Sequence, residues 1–272
     1  MPLLFIAGLV LAVAAWLWGP SLWSNWRRAR VLREPFPAAW REILRQRMPY
    51  FRRLPPDLQL QLKKHVQWLL AETPFIGCRG LEITDEVRVL VAAQAALLLL
   101  NRGAGRFRGL RQVLIYPGPF IVDRPVNTGG VTQDARRVLA GESWQQGQLI
   151  LSWDDVLAGA ADPDDGRNVV IHEFAHRLDQ ETGAANGAPW LGARRERYAR
   201  WSQVLGAAYT RLQQQLAEGA EPWLDPYGAT DPAEFFAVLS ETFFENPVLL
   251  AQADLDLYRE LAEFYRVDPL AW

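Results

Sequence analysis

The pattern of hydrophobic and polar residues predicts helices packed around a small sheet. Residues 56–70 and 85–100 carry apolar side chains every three or four positions, and start signals precede both stretches, at Pro55-Pro56-Asp57 and Thr84-Asp85. Shorter apolar stretches bounded by turn residues predict strands at residues 75–77, 112–116, 120–123 and 148–153.

After Trp153 the helical period continues almost to the C-terminus. It predicts helices at residues 154–160, 166–181, 193–217, 232–245 and 255–265. The chain is therefore expected to have an α+β fold. A small mixed sheet lies in its N-terminal half, and the C-terminal half is helical.

The N-terminus has a different character, because residues 3–18 form an unbroken apolar run that predicts a membrane-anchoring helix. A cleaved signal peptide has basic residues before its apolar core, whereas here they follow it, at Arg27, Arg28, Arg30 and Arg33. The positive-inside rule keeps this basic flank in the cytoplasm. We therefore expect an inner-membrane anchor at residues 1–30 and one folded domain at residues 31–272 in the cytoplasm. A cleaved signal, a segment lying on the bilayer and a soluble cytoplasmic chain are the alternatives.

The charge balance argues against one class of function. Lys and Arg total 29 and Asp and Glu total 31, so the net charge of −2 provides no basic excess for binding nucleic acid. The single cysteine, Cys78, can form neither an intramolecular disulfide nor a cysteine-based metal site.

A metal-binding motif lies in the helix predicted at residues 166–181. His172 and His176 are four positions apart, so at ~100° per residue they project from one face and can hold a metal ion between them. Glu173 lies about a quarter-turn away, which keeps its carboxylate off the metal but near a metal-bound water, where a general base is needed. The remaining histidine, His65, is expected to be solvated on a charged helix face.

A catalytic zinc site needs a third protein ligand, and three acidic residues are candidates. Asp179 shares the face of the histidines but lies ~10 Å along the helix axis, too far for direct ligation. It is expected either to orient the second histidine or to be a surface acid. Glu234 and Glu241 lie on one face of the helix predicted at residues 232–245, and their spacing does not separate them. Glu234 also occupies the capping-box position after Asp231, which is its alternative role.

Three separated blocks of sequence resemble the Mlc titration factor A family of zinc peptidases. The first block contains Gly141-Glu142-Ser143-Trp144 and Leu151-Ser152-Trp153-Asp154-Asp155-Val156, the second is His172-Glu173-Phe174-Ala175-His176-Arg177-Leu178-Asp179, and the third contains Tyr227-Gly228-Ala229-Thr230 and Ala233-Glu234-Phe235-Phe236-Ala237. The last two blocks are also similar to the catalytic domain of anthrax lethal factor. The resemblance extends from about residue 35 to the C-terminus and implies a zincin-like fold.

The resemblance also implies roles for individual residues. It implies that one Zn²⁺ is held by His172, His176 and Glu234. Glu241 is then not a ligand. The resemblance implies that Tyr227 donates a hydrogen bond to the tetrahedral oxyanion. The expected function is hydrolysis of peptide bonds by metal-activated water with Glu173 as general base, and the resemblance implies aminopeptidase-like activity on short peptides.

The expected partners follow from this function. A peptide substrate is expected to pair with a free edge of the strand at residues 148–153, and the alternative is an internal strand with both edges filled. The family's name implies a second function, that of a membrane-associated protein that sequesters a transcriptional repressor of the Mlc type.

Overall fold

The computed structural model describes residues 26–102, 107–118, 120–128, 131–139, 141–144 and 147–272, and the isolated positions 13, 16, 18 and 23. The N-terminal half contains helices α1 (Ala38–Arg47), α2 (Pro49–Arg53), α3 (Pro56–Glu72) and α4 (Asp85–Leu97). Helix α4 begins where the sequence predicts, because the Thr84 hydroxyl accepts a hydrogen bond from Val87 N at 3.3 Å. Its middle is buried on all sides, as expected from its continuous apolar sequence.

A small sheet follows these helices. The strands are β1 (Phe75–Gly77), β2 (Gln112–Tyr116), β3 (Phe120–Thr128), β4 (Val131–Leu139), β5 (Gly141–Trp144) and β6 (Gln148–Ser152). Four of them form one sheet in the order β1-β2-β6-β5, in which β1, β2 and β6 are parallel and β5 is antiparallel to β6. Strands β3 and β4 pair with each other as an antiparallel two-stranded sheet. The α+β prediction with a small mixed sheet is thus confirmed.

The predicted free edge on β6 is wrong. Gln148 is in register with Gln112 of β2 on one side and with Trp144 of β5 on the other. Strand β5, which the hydrophobic pattern does not predict, folds back beside β6 and fills that edge. Among the described strands of this sheet, β5 is the outer one next to β6.

The C-terminal half is helical, as the sequence predicts. It contains α5 (Trp153–Ala161), α6 (Val169–Asp179), α7 (Arg195–Ala217), α8 (Pro232–Glu245), α9 (Pro247–Ala253) and α10 (Leu255–Tyr265). The Trp201 ring of α7 packs between α8 and α10, because its centroid lies 5.8 Å from that of Phe236 on α8 and 5.4 Å from that of Phe264 on α10. Edge-to-face contacts of this kind contribute roughly 0.5–1.5 kcal/mol each beyond the burial of apolar area.

The predicted inner-membrane anchor is corrected by the structure. Within the described part of the chain, no helix is long and apolar enough to cross a bilayer. The basic flank contacts protein instead, since Arg27 Nη2 donates to Ala71 O at 2.7 Å and the Arg28 guanidinium lies 5.6 Å from the Trp68 ring centroid. Apart from three isolated positions, the apolar run at residues 3–18 lies outside the described residues.

The expectation for His65 is also wrong. This residue lies on α3 and is only 8% exposed, on the helix face that packs into the domain. Burial lowers the pKa of His65 to about 4, and the positive charge of Arg28 adds to the shift. The two lysines that precede His65 in the sequence therefore do not show that its side chain is solvated.

Replacing His65 by Gln should flatten the acid dependence of stability. The folded pKa of about 4 is below the unfolded value near 6.5, so the folded state takes up its proton later as the pH falls. Stability from this residue is complete above pH 6.5 and is lost towards pH 4, a loss of roughly 2–3 kcal/mol. Urea unfolding at pH 7 and pH 4 should show a smaller drop for His65→Gln than for the wild type, and equal drops would contradict the assignment.

Candidate metal centre

The two histidines of the motif are positioned by the first turns of α6. Asn168 caps this helix, because its Oδ1 accepts a hydrogen bond from Ile171 N at 3.0 Å. His172 and His176 then lie one turn apart with ring centroids separated by 4.8 Å, and their Nε2 atoms are 3.2 Å apart. The helix begins at Val169, three residues later than the predicted start at Gly166, and the two imidazoles converge on one point.

The acidic member of the cluster comes from α8. Asp231 starts this helix by accepting hydrogen bonds from Ala233 N and Glu234 N at 2.9 and 3.0 Å. The side chain of Glu234 extends away from this cap, and its Oε2 lies 3.0 Å from His172 Nε2 and 3.2 Å from His176 Nε2. This carboxylate therefore contacts the two histidines across the interface between α6 and α8, rather than capping its own helix.

The residues present fit a zinc ion. One ligand atom from each of His172, His176 and Glu234 lies within 4.8 Å of the others, so this group could hold a metal ion. Bonds of ~2.0–2.1 Å in a tetrahedral arrangement place ligand atoms about 3.3 Å apart, close to the separations between these three side chains. Two imidazole nitrogens and one carboxylate oxygen are also a donor set typical of catalytic zinc.

The charges in the site are strongly coupled. Burial favours the neutral form of Glu234, but hydrogen bonds with both histidines outweigh it and hold the pKa of this carboxyl well below its usual range. Burial also favours neutral His172, yet the carboxylates of Glu241 and Glu234 raise the pKa of this imidazole well above its ordinary value. The carboxylates around His172 thus favour a positive charge at this position.

Glu173 and Tyr227 both lie beside the histidines. Glu173 follows His172 on α6, is 3% exposed, and its charge contributes to the raised pKa of His172. Tyr227 lies in a 3₁₀ turn, Pro226–Ala229, whose start is fixed by Asp225 Oδ1 accepting from Tyr227 N at 2.9 Å. Tyr227 is 39% exposed, and its ring centroid lies 6.0 Å from that of His172. The structure therefore brings a buried carboxylate and an accessible phenol to the same cluster.

Glu241 lies on the opposite side of the His172 ring from Glu234. Its Oε1 is 2.7 Å from His172 Nδ1, and its Oε2 accepts a hydrogen bond from Asn168 N at 2.6 Å. The sequence predicts Glu241 only as an alternative metal ligand to Glu234, and it predicts no role for Asn168. A signal for Asn168 was present, because Asn directly before an apolar helix is a typical cap.

Asp179 is not a surface acid, because it is fully buried. Its Oδ2 accepts a hydrogen bond from Gly187 N at 2.7 Å. Burial raises the pKa of the Asp179 carboxyl, and this hydrogen bond and the charge of His176 act in the opposite direction. An orienting role towards His176 stays a prediction, whereas the contact with Gly187 is direct.

Gly187 lies between the end of α6 and the start of α8, in contact with Asp179 and close to Pro232. Its φ of +74° is in the left-handed region, and a Cβ atom here would lie 2.3 Å from Pro232 O. Its own carbonyl accepts a hydrogen bond from Trp201 Nε1 at 2.8 Å. Together with the hydrogen bond that Gly187 N donates to Asp179, these contacts set how closely the loop approaches the helix that carries Glu234.

An α+β fold that joins a His-Glu-x-x-His helix to a glutamate on a second helix has the arrangement of a metallopeptidase. A family model described as glucose-regulated metallo-peptidase M90 matches residues 23–266, and the chain belongs to this family. The resemblance to Mlc titration factor A is confirmed by two relatives. The protein of that name from Pectobacterium atrosepticum is 40% identical over 209 residues, 74% of this chain and 76% of the relative. The one from Yersinia enterocolitica is 35% identical over 264 residues, 94% and 92% of the two chains.

A third relative covers the whole length. An uncharacterized protein from Synechocystis is 39% identical over 272 residues, which is 99% of this chain and 98% of the relative. The similarity therefore includes the N-terminal region that precedes the metallopeptidase motif.

Gly187→Ala should move the start of α8 and weaken metal binding. The substitution combines an unfavourable φ with a clash against Pro232 O, so the free energy of unfolding should fall by more than the ~1–2 kcal/mol of a left-handed alanine alone. Gly192→Ala is the matched control, because its φ is +92° and no atom lies within 4 Å of its Cβ position. Urea unfolding and zinc titration of both variants check this, and equal losses would show that the close approach to Pro232 is unimportant.

Proposed function

We propose that the chain is a zinc-dependent peptidase with a zincin-like fold, in which His172, His176 and Glu234 hold one Zn²⁺. The observation that carries this proposal is the convergence of their three donor atoms from two helices. These three side chains would hold the ion, which when bound would supply Lewis-acid polarisation of the scissile carbonyl and a pKa of bound water lowered towards ~7. A structural zinc site usually has four protein ligands, whereas three leave a position open for chemistry.

Glu173 is proposed as the general base. It takes a proton from the attacking water and delivers it to the nitrogen of the leaving amine, which becomes a neutral amine as the C–N bond breaks. Its burial beside His172 supports this role, since a carboxylate in a dry site exchanges protons with a bound reactant more effectively than a solvated one. Tyr227 is proposed to donate its hydroxyl proton in a hydrogen bond to the oxyanion, a contribution on the order of 2–4 kcal/mol.

We propose short peptides as substrates, with aminopeptidase-like cleavage, on the basis of the family resemblance. The backbone of the substrate is proposed to pair with β5, because β5 is the outer one of the described strands beside β6 and contacts the motif helix α6. Methylating single backbone nitrogens of a cleaved peptide tests this idea. Loss of one pairing bond should raise KM about tenfold at the affected position, and uniform cleavage of all methylated peptides would contradict pairing.

A second function is favoured by the names of the relatives. Proteins called Mlc titration factor A are 35–40% identical to this chain, which supports binding of a transcriptional regulator of the Mlc type. In that case zinc would serve the shape of the binding surface, and the carboxylate of Glu173 would be dispensable.

Removing a ligand should remove the metal. Purified wild-type protein is expected to bind one equivalent of zinc, and Ala at His172, His176 or Glu234 should weaken binding by more than the ~10–100-fold typical of residues around the ligands. His65→Ala is the control, since it removes the one histidine outside the cluster. Metal analysis after dialysis against a chelator checks this, and full zinc content in the Glu234 variant would contradict the ligand set.

Glu173→Gln should separate the two candidate functions. The variant is expected to keep its fold and its zinc but to hydrolyse peptides ~10²–10⁴-fold more slowly, because the amide cannot accept the proton. Peptide cleavage and regulator binding should be measured on the same preparation. If hydrolysis is unchanged, the peptidase proposal fails, and intact regulator binding would then support the second function.

A further inference from the structure

A series of buried polar side chains connects the interior of the domain to the cluster formed by His172, His176 and Glu234. Asn168 is 2% exposed, and its Nδ2 atom lies 2.9 Å from Gln94 Oε1 and 2.8 Å from Glu245 Oε1. The backbone N–H of the same residue donates to Glu241 Oε2, and Glu241 Oε1 lies against His172 Nδ1. Contacts therefore run without a break from the inside of the domain to the back of one imidazole.

We propose that Glu241 is a positioning residue for His172, an inference that rests on the metal site proposed above. By accepting the Nδ1–H, it fixes the tautomer in which Nε2 has the lone pair. It also fixes the angle of the ring, so that Nε2 faces Glu234 and His176 at 3.0 and 3.2 Å. Outer carboxylates with this role raise the basicity of the ligating imidazole.

The geometry excludes Glu241 as a fourth ligand of the same ion. Nδ1 and Nε2 lie on opposite sides of an imidazole, so a carboxylate at 2.7 Å from Nδ1 faces away from the cluster formed at Nε2. Both Glu241 oxygens are also engaged, one with His172 and the other with Asn168 N.

A carboxylate suits this position better than its amide. The two groups that Glu241 faces, the Asn168 N–H and the His172 Nδ1–H, are both donors, so the side chain between them needs two acceptor atoms. Glutamine has one oxygen and one NH₂ group. It must either oppose its NH₂ to the Asn168 N–H or present its NH₂ to Nδ1, which favours the wrong tautomer.

A second buried carboxyl on the same helix supplies a matched control. Glu245 is 3% exposed, and burial raises its pKa to about 9, with the nearby charge of Glu241 adding to the shift. Glu245 is thus neutral at pH 7. Replacing Glu245 by Gln removes a carboxyl but no charge, and it keeps an acceptor for Asn168.

The test compares Glu241→Gln with Glu245→Gln in the full chain. Zinc affinity at pH 7, measured by competition with a chelator, should fall 10–100-fold in Glu241→Gln and stay unchanged in Glu245→Gln. Nitrogen-15 NMR of the zinc-bound protein should show the His172 Nδ1–H resonance shifted in Glu241→Gln alone. Equal zinc affinity and an unshifted resonance in the Glu241 variant would overturn the proposal.

The wild-type protein tests the idea even if the variant does not fold. In the zinc-bound protein, His172 should carry its proton on Nδ1 and have its metal bond at Nε2, and the reverse pattern would overturn the inference. A wild-type chain that binds no zinc at all would instead refute the proposed function. The two failures are therefore distinguishable.

Discussion

The site depends on the packing of α6 against α8, because neither helix can form it alone. The histidines lie on the first helix, and the carboxylates that contact them lie on the second, about sixty residues later. Two connections fix this packing at opposite ends of α6. Glu241 binds the N-terminal cap at Asn168, and the loop at Gly187 joins Asp179 to Pro232. A helix held at both ends can place ligand atoms to within a fraction of an ångström, which metal binding requires.

Burying this many ionisable groups is unfavourable unless each has a partner. In this protein the carboxylates are distributed on both sides of one imidazole, with Glu234 at Nε2 and Glu241 at Nδ1. The neighbouring Glu245 avoids a further negative charge by staying protonated. The polar interior is therefore organised around His172, and Phe236, on the same helix as the two carboxylates, packs with Trp201 in a separate aromatic layer. This arrangement suits a site that must hold a divalent cation and exclude bulk water.

Some helix starts could be predicted from the sequence, whereas α6 was predicted to begin at residue 166 although Asn168 is its cap. Pro232 after Asp231 and Leu255 after Asp254 mark helix starts that the structure reproduces. Strands β4 and β5 were missed because their sequences, with residues such as Arg136, Arg137 and Gly141, lack the alternation of a half-buried strand. Spacing could not separate Glu234 from Glu241, because residues seven apart share a helix face. Which nitrogen each carboxylate meets depends on how two distant helices cross, and no local pattern encodes that.

The β3–β4 hairpin leaves the main sheet after β2 and returns to it at β5. In the described residues its strands pair with each other, so the register of β1, β2, β6 and β5 is set without them. Changes in the length of this hairpin are therefore expected to leave the register of the main sheet unchanged. Within one family, this hairpin can therefore lengthen or shorten while α6 and α8 keep the packing that brings His172, His176 and Glu234 together.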